Sequence, residues 1–150
     1  MPHIYVDADA CPVKEEIYRV AKRYSLFVTL VANSWINTPD DEHIQLVKVG
    51  QRFDEADEWI IEQAQPHDIV ITTDIPMASE CLNKGAHVIN PKGRIFSHES
   101  IGDALASREV SSQLREHGLM PGGPGPFGPK DRSQFLQSLD ATIHAAKRVG

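Results

Sequence analysis

Four aspartates stand where a carboxylate needs a physical reason. Asp7 and Asp9 close the apolar run 3–8 (H-I-Y-V-D-A), and Asp74 directly follows the run 68–73 (D-I-V-I-T-T). Asp57 comes four residues after Phe53, three before Ile60, four before Ile61 and seven before Ala64, along the apolar side of an expected helix. An ionised carboxylate placed there without a partner is costly. Like charges held close together call for a cation, and carboxylate oxygens are the ligands of a hard divalent ion such as Mg2+ or Mn2+. Each aspartate also has a plainer reading. Asp54 suits the cap of its own helix, Asp9 that of the helix after Pro12, and Asp74 that of the helix around Met77, while Asp57 can satisfy backbone groups of its first turn. Asp7, among β-branched and aromatic neighbours, has the weakest such alternative.

Those aspartates are useful only if the chain brings them to one edge. Residues 3–8 read as a buried strand, and Pro12 suits the first turn of a helix to about Tyr24, with Val13, Ile17, Val20, Ala21 and Tyr24 on one face. Further strands are expected at 26–32, 44–49, 68–73 and 86–89, with helices over 53–64 and 77–84. The segment from Asn33 to His43 has no helical period. Strands without alternation, separated by helices, imply a three-layer α/β/α domain around a mainly parallel five-stranded sheet. Ligands of such sheets bind outside the carboxyl ends of the strands, where Asp7, Asp9 and Asp74 fall.

Beyond Asn90-Pro91 only a short strand over 94–97 is suggested, then a helix over 100–117. Residues 121–129 (P-G-G-P-G-P-F-G-P) are Pro or Gly at eight of nine positions, which predicts a mobile loop over about 119–130. A last helix over 131–147, with Phe135, Leu136, Leu139, Ile143 and Ala146 in a stripe, is expected to pack on the body. The 150 residues are therefore read as one domain.

Composition narrows the class further. With 15 Lys and Arg against 21 Asp and Glu the formal charge is −6, and 41% of residues are hydrophobic, as in an ordinary globular protein. Residues 1–75 hold 14 acids and 6 bases, and residues 76–150 hold 7 acids and 9 bases. A negative half facing a slightly positive one suits carboxylates that meet an anion, and equally a solvated acidic surface. No stretch approaches a membrane span, and Met1-Pro2-His3 leads straight into a strand, so a cytoplasmic protein is expected. Cys11 and Cys81 are too few for a disulfide scaffold and lack metal spacing.

Read in order, I-Y-V-D-A-D-A-C-P-V-K (4–14), V-A-N-S (31–34), F-D-E-A-D-E-W-I (53–60), D-I-V-I-T-T-D-I-P-M-A (68–78) and G-P-K-D-R-S-Q-F (128–135) closely resemble the YaiI/YqxD family of small bacterial proteins. Members of that family are similar to PIN-type nucleases, whose acidic clusters at strand ends hold Mg2+ or Mn2+ for phosphodiester cleavage. The resemblance implies a PIN-like fold with Asp7, Asp9, Asp57 and Asp74 as catalytic metal ligands. The chemistry would be metal-assisted hydrolysis of RNA or of a small phosphorylated ligand.

Lys14, Lys92, Lys130 and Arg132 supply cations near loop edges for phosphate oxygens, or are ordinary surface bases. Asn33, Ser34, Thr72 and Thr73 end strands on the expected edge, and Asn33, Ser34 and Thr73 are taken as substrate contacts. Trp35 lies in its loop, open to stacking on a base, whereas Trp59 suits the core. Two other functions compete. Asp7-Ala8-Asp9 also resembles the opening of haloacid-dehalogenase-type phosphatases, with Asp7 as nucleophile. A non-catalytic metal or nucleotide-binding module would use the same acids without turnover. Nothing in the sequence sets the oligomeric state.

Overall fold

The computed structural model describes residues 2–50, 55–102 and 127–149. Strands β1 (Ile4–Asp7), β2 (Val28–Ala32), β3 (Ile44–Lys48), β4 (Ile69–Ile71), β5 (His87–Ile89) and β6 (Ile95–Phe96) form one sheet in the order β3-β2-β1-β4-β5-β6. All neighbours are parallel except β5 and β6. The sheet thus adds to the five expected strands the short one suggested over 94–97. The sixth is a two-residue antiparallel return whose Phe96 is buried while Ile95 is half exposed.

Successive side chains of a strand point to opposite faces, and the two cores follow that alternation. Ile4 and Val6 of β1, Val28 and Leu30 of β2, and Ile69 and Ile71 of β4 join the first core, covered by α1 (Lys14–Tyr24) and by the C-terminal helix. Tyr5, Val31, Val70 and Val88 join the second, covered by α2 (Glu55–Gln63), α3 (Ile75–Asn83) and the start of α4 (residues 98–102). The three-layer α/β/α arrangement read from the sequence is the one observed.

The helices begin and end where local chemistry dictates. α1 follows Pro12 and ends at Ser25, whose left-handed backbone (φ 56°) lets its N–H reach the carbonyls of Ala21 and Lys22. The C-terminal helix, α5 (Pro129–Val149), starts two residues earlier than expected because proline suits a first turn, where no N–H is needed. The expected loop therefore stops short of Pro129. Phe127 is already packed against the first core, and residues 119–126 of that loop lie outside the described residues, as do residues 103–117 of the helix expected over 100–117.

Crossovers between parallel strands are right-handed, so the face on which a helix lies fixes the direction of travel along the sheet. From β1 the chain passes through α1 on the first face and steps to β2. Through α2 and α3 on the opposite face it steps the other way, to β4 and then β5. The direction reverses between β1 and β4, and in open α/β sheets the carboxyl ends at such a reversal are where a ligand crevice forms. The connection 33–43 between β2 and β3 has no helix; Ile36 packs it on the α1 side.

α5 is docked at one tight point. Gly93 has φ +91°, and a Cβ there would stand 2.7 Å from the backbone of Gln134, while Ser138 Oγ donates to the Gly93 carbonyl. Gly93→Ala is expected to combine backbone strain with helix displacement and lower stability by about 1–3 kcal/mol, read from urea unfolding.

Candidate functional site

The reversal point holds a half-buried carboxyl at the end of β1. Asp7 ends β1 as the residue whose neighbours Ile4, Tyr5 and Val6 are all buried, and its Oδ2 accepts a hydrogen bond from Thr72 Oγ1 at 3.0 Å. Thr72 is 1% exposed at the end of β4, and the same hydroxyl oxygen accepts from the Asp74 N–H at 3.0 Å. One side chain therefore ties the tips of β1 and β4. Asp74 in turn caps α3, its Oδ1 accepting from the Met77 N–H at 2.9 Å. Burial holds the Asp7 carboxyl above the ordinary aspartate range; the Thr72 hydrogen bond opposes this, and the charges of Asp74 and Asp9 add to it.

Asp9 lies in the single 3-10 turn Ala8–Ala10 that follows β1. It does not cap α1. Its Oδ2 accepts from the Asn33 N–H at 2.9 Å and its Oδ1 from Ser34 Oγ at 3.4 Å, so it holds the loop that leaves β2. With its amide in the orientation that satisfies both partners, the Asn33 side chain also donates to Asp9, at 2.9 and 3.2 Å. Asn33 and Ser34, expected at a substrate, thus meet a carboxylate.

Asp9 and Asp74 stand close enough for their charges to act on Asp7. Asp57 is half-buried in the first turn of α2, where its charge adds slightly to the effect of burial in raising the Cys81 thiol on α3 to about 11. Asp54 lies outside the described residues. Among the described residues, no three His, Cys, Asp or Glu side chains converge as a ready metal-ligand group. The four-aspartate ligand set expected from the sequence is therefore not assembled. What remains is smaller but of suitable chemistry: Asp7 Oδ1 and Asp74 Oδ2 accept no hydrogen bond from a described residue. Mg2+ is commonly held by one or two carboxylates together with waters and substrate phosphates.

The expected cations lie at the starts of two helices and in one turn. Lys14 Nζ donates to the Cys11 carbonyl at 2.9 Å, at the start of α1. Lys130 is exposed in the first turn of α5, and Lys92 is exposed in a turn shaped by Asn90 Oδ1, which accepts from the Lys92 and Arg94 N–H groups. Arg132 is already engaged: it donates to the Pro12 carbonyl and to Glu16 Oε1, both at 2.9 Å, with its guanidinium over the Phe127 ring. Glu16 is 8% exposed and its Oε2 has no partner, so Arg132 is the group that keeps this charge tolerable. Thr73 is exposed, and Thr72 occupies the inward position instead. Burial pushes the Cys11 thiol up, away from a reactive thiolate.

A mainly parallel sheet wound in both directions and covered on both faces defines a three-layer α/β/α protein. Within it, residues 5–145 match the family described as "Uncharacterized BCR, YaiI/YqxD family", and the chain belongs to that family. It is 51% identical over 149 residues to the UPF0178 protein amb2838 of Paramagnetospirillum magneticum, covering 99% of both chains. UPF0178 proteins of Rhodopseudomonas palustris (strain HaA2) and Brucella ovis are each 52% identical, over 97% and 98% of this chain and 88% and 92% of theirs. No solved structure matches.

Two outcomes follow from this geometry. Because the Asp7 pKa is raised on folding above its unperturbed 3.8, its contribution to stability is full below that pH and lost as pH rises through the raised value. Asp7→Asn should therefore unfold at higher urea than the parent at pH 7, with the two curves converging at pH 3. Arg132→Ala, by leaving Glu16 buried without its partner, should cost roughly 1–2 kcal/mol in the same measurement, the exposure of the arginine keeping the loss moderate.

Proposed function

We propose that this chain is a Mg2+- or Mn2+-dependent phosphodiesterase with a PIN-like catalytic edge, acting on RNA or a related phosphorylated substrate. The observation that carries the reading is the tie from Asp7 through Thr72 to Asp74 at the reversal of strand order, with one oxygen of each carboxylate accepting no hydrogen bond from a described residue. A divalent ion bound by those oxygens would supply a polarised phosphate oxygen and a water of lowered pKa.

The chain's own residues would do the positioning. Thr72 fixes the plane of the Asp7 carboxyl, the α3 cap fixes Asp74, and Asp9 holds the β2 loop beside them. Lys14, Lys92 and Lys130 are the cations offered to phosphate oxygens. Two free, buried cysteines suit a reducing compartment, and no described helix is long and apolar enough to cross a membrane, so we place the protein in the cytoplasm.

A second reading is a metal or nucleotide-binding module that uses the same acids without turnover. The phosphatase reading draws less support, because its acid and base, Asp9, is occupied by Asn33 and Ser34. Calorimetric titration with Mn2+, alone and with a short RNA oligonucleotide, separates these. The parent should bind the ion saturably and cleave the RNA, and Asp7→Asn and Asp74→Asn should lose both while remaining folded. Binding without cleavage would select the module, and no binding in either titration would end the metal-dependent reading.

A further inference from the structure

Trp35 is 74% exposed, the most exposed large hydrophobic residue among the described ones, yet the chain on either side of it is pinned. Before it, the Asn33 N–H and Ser34 Oγ bind Asp9; after it, Ile36 is packed against the first core. The other tryptophan shows the contrast: Trp59 packs on the second core, edge-on to Tyr5 at 6.1 Å between ring centroids. An indole held out on a fixed backbone is a preorganised flat apolar surface, because little loop entropy remains to be lost when something covers it.

Its place says what could cover it. Two residues span at most about 7 Å, so Trp35 stands within that reach of the loop residue that touches Asp9. The protein carries a formal charge of −6, and the segment following Trp35 adds Asp40, Asp41 and Glu42. Release of counterions from a phosphate backbone therefore cannot supply most of the affinity for a nucleic acid. Stacking on an aromatic face is independent of the sign of that charge and tolerates any base.

We infer that Trp35 is the stacking platform for one unpaired nucleobase of a single-stranded nucleic acid whose backbone enters the crevice at Asp7 and Asp74. The inference rests on the phosphodiesterase reading and specifies its substrate as a strand with a base free to leave its neighbours. Asp9 then has a second consequence: by holding Asn33 and Ser34 it sets the distance between platform and crevice.

The test uses the full chain carrying Trp59→Phe, which leaves Trp35 as its only tryptophan, titrated with a twelve-residue oligouridylate and with an abasic sugar-phosphate oligomer of the same length. Oligouridylate should quench the Trp35 fluorescence, and the abasic oligomer should not. In the parent background Trp35→Ala should weaken oligouridylate binding by about tenfold, with Trp35→Phe retaining most of it and the Mn2+ affinity of both unchanged. Equal binding by Trp35→Ala and the parent, or equal quenching by the abasic oligomer, would overturn the platform while Mn2+ binding and cleavage at Asp7 still stood. Absence of oligouridylate binding by the parent would overturn it as well. Loss of Mn2+ binding in the parent would instead remove the reading beneath it.

Discussion

β1 is the strand on which the molecule turns, because it is paired on both sides by strands that the chain reaches in opposite directions. Ile4, Tyr5 and Val6 are each matched in register to β2 on one side and to β4 on the other. With every backbone group of that segment committed, the strand tolerates only side chains that fill the two cores, and Asp7 is the first residue at which that demand relaxes. Its carboxyl is nevertheless burdened by burial and by two neighbouring charges. The hydroxyl of Thr72 offsets part of this, at the cost of making the tips of β1 and β4 one unit. Strand pairing, helix capping and carboxylate position are thus aspects of one constraint.

Much of this was legible along the chain. Uninterrupted apolar runs separated by helical periods identified a parallel sheet, and the position of Asp7, Asp9 and Asp74 just past those runs placed them at one edge. Thr72 had a readable signal in the alternation of β4, since it shares the parity of Val70 and faces the same side, whereas Thr73 does not. Asp57 illustrates the limit of a helical wheel. The same apolar side that meets the sheet also meets α3, and the wheel cannot tell which neighbour a given residue receives. The clamp of Arg132 on Glu16 joins residues 116 positions apart, so no local pattern contained it.

The candidate site has an economy that follows from these attachments. Asp74 serves α3 with one oxygen, Asp9 serves the β2 loop, and Asp7 serves Thr72. Each carboxylate is positioned by structural duty before any ligand arrives, which restricts its rotamers and keeps the remaining oxygens in place. The same economy explains why fewer oxygens are free than three aspartates at strand ends suggest.

The covering of the first core has a temporal side. Phe135, Leu139 and Ile143 of α5 are fully buried, the helix lying against β4, β5 and α1, yet they are made only after the six strands of the sheet, the last of which ends at Phe96. On a ribosome the sheet can pair while the part of its first face that α5 covers still shows Ile69, Ile71 and Ile89 to water. The nascent protein therefore passes through a stage with a sticky, half-roofed sheet, and α5 is the piece whose arrival ends its need for protection.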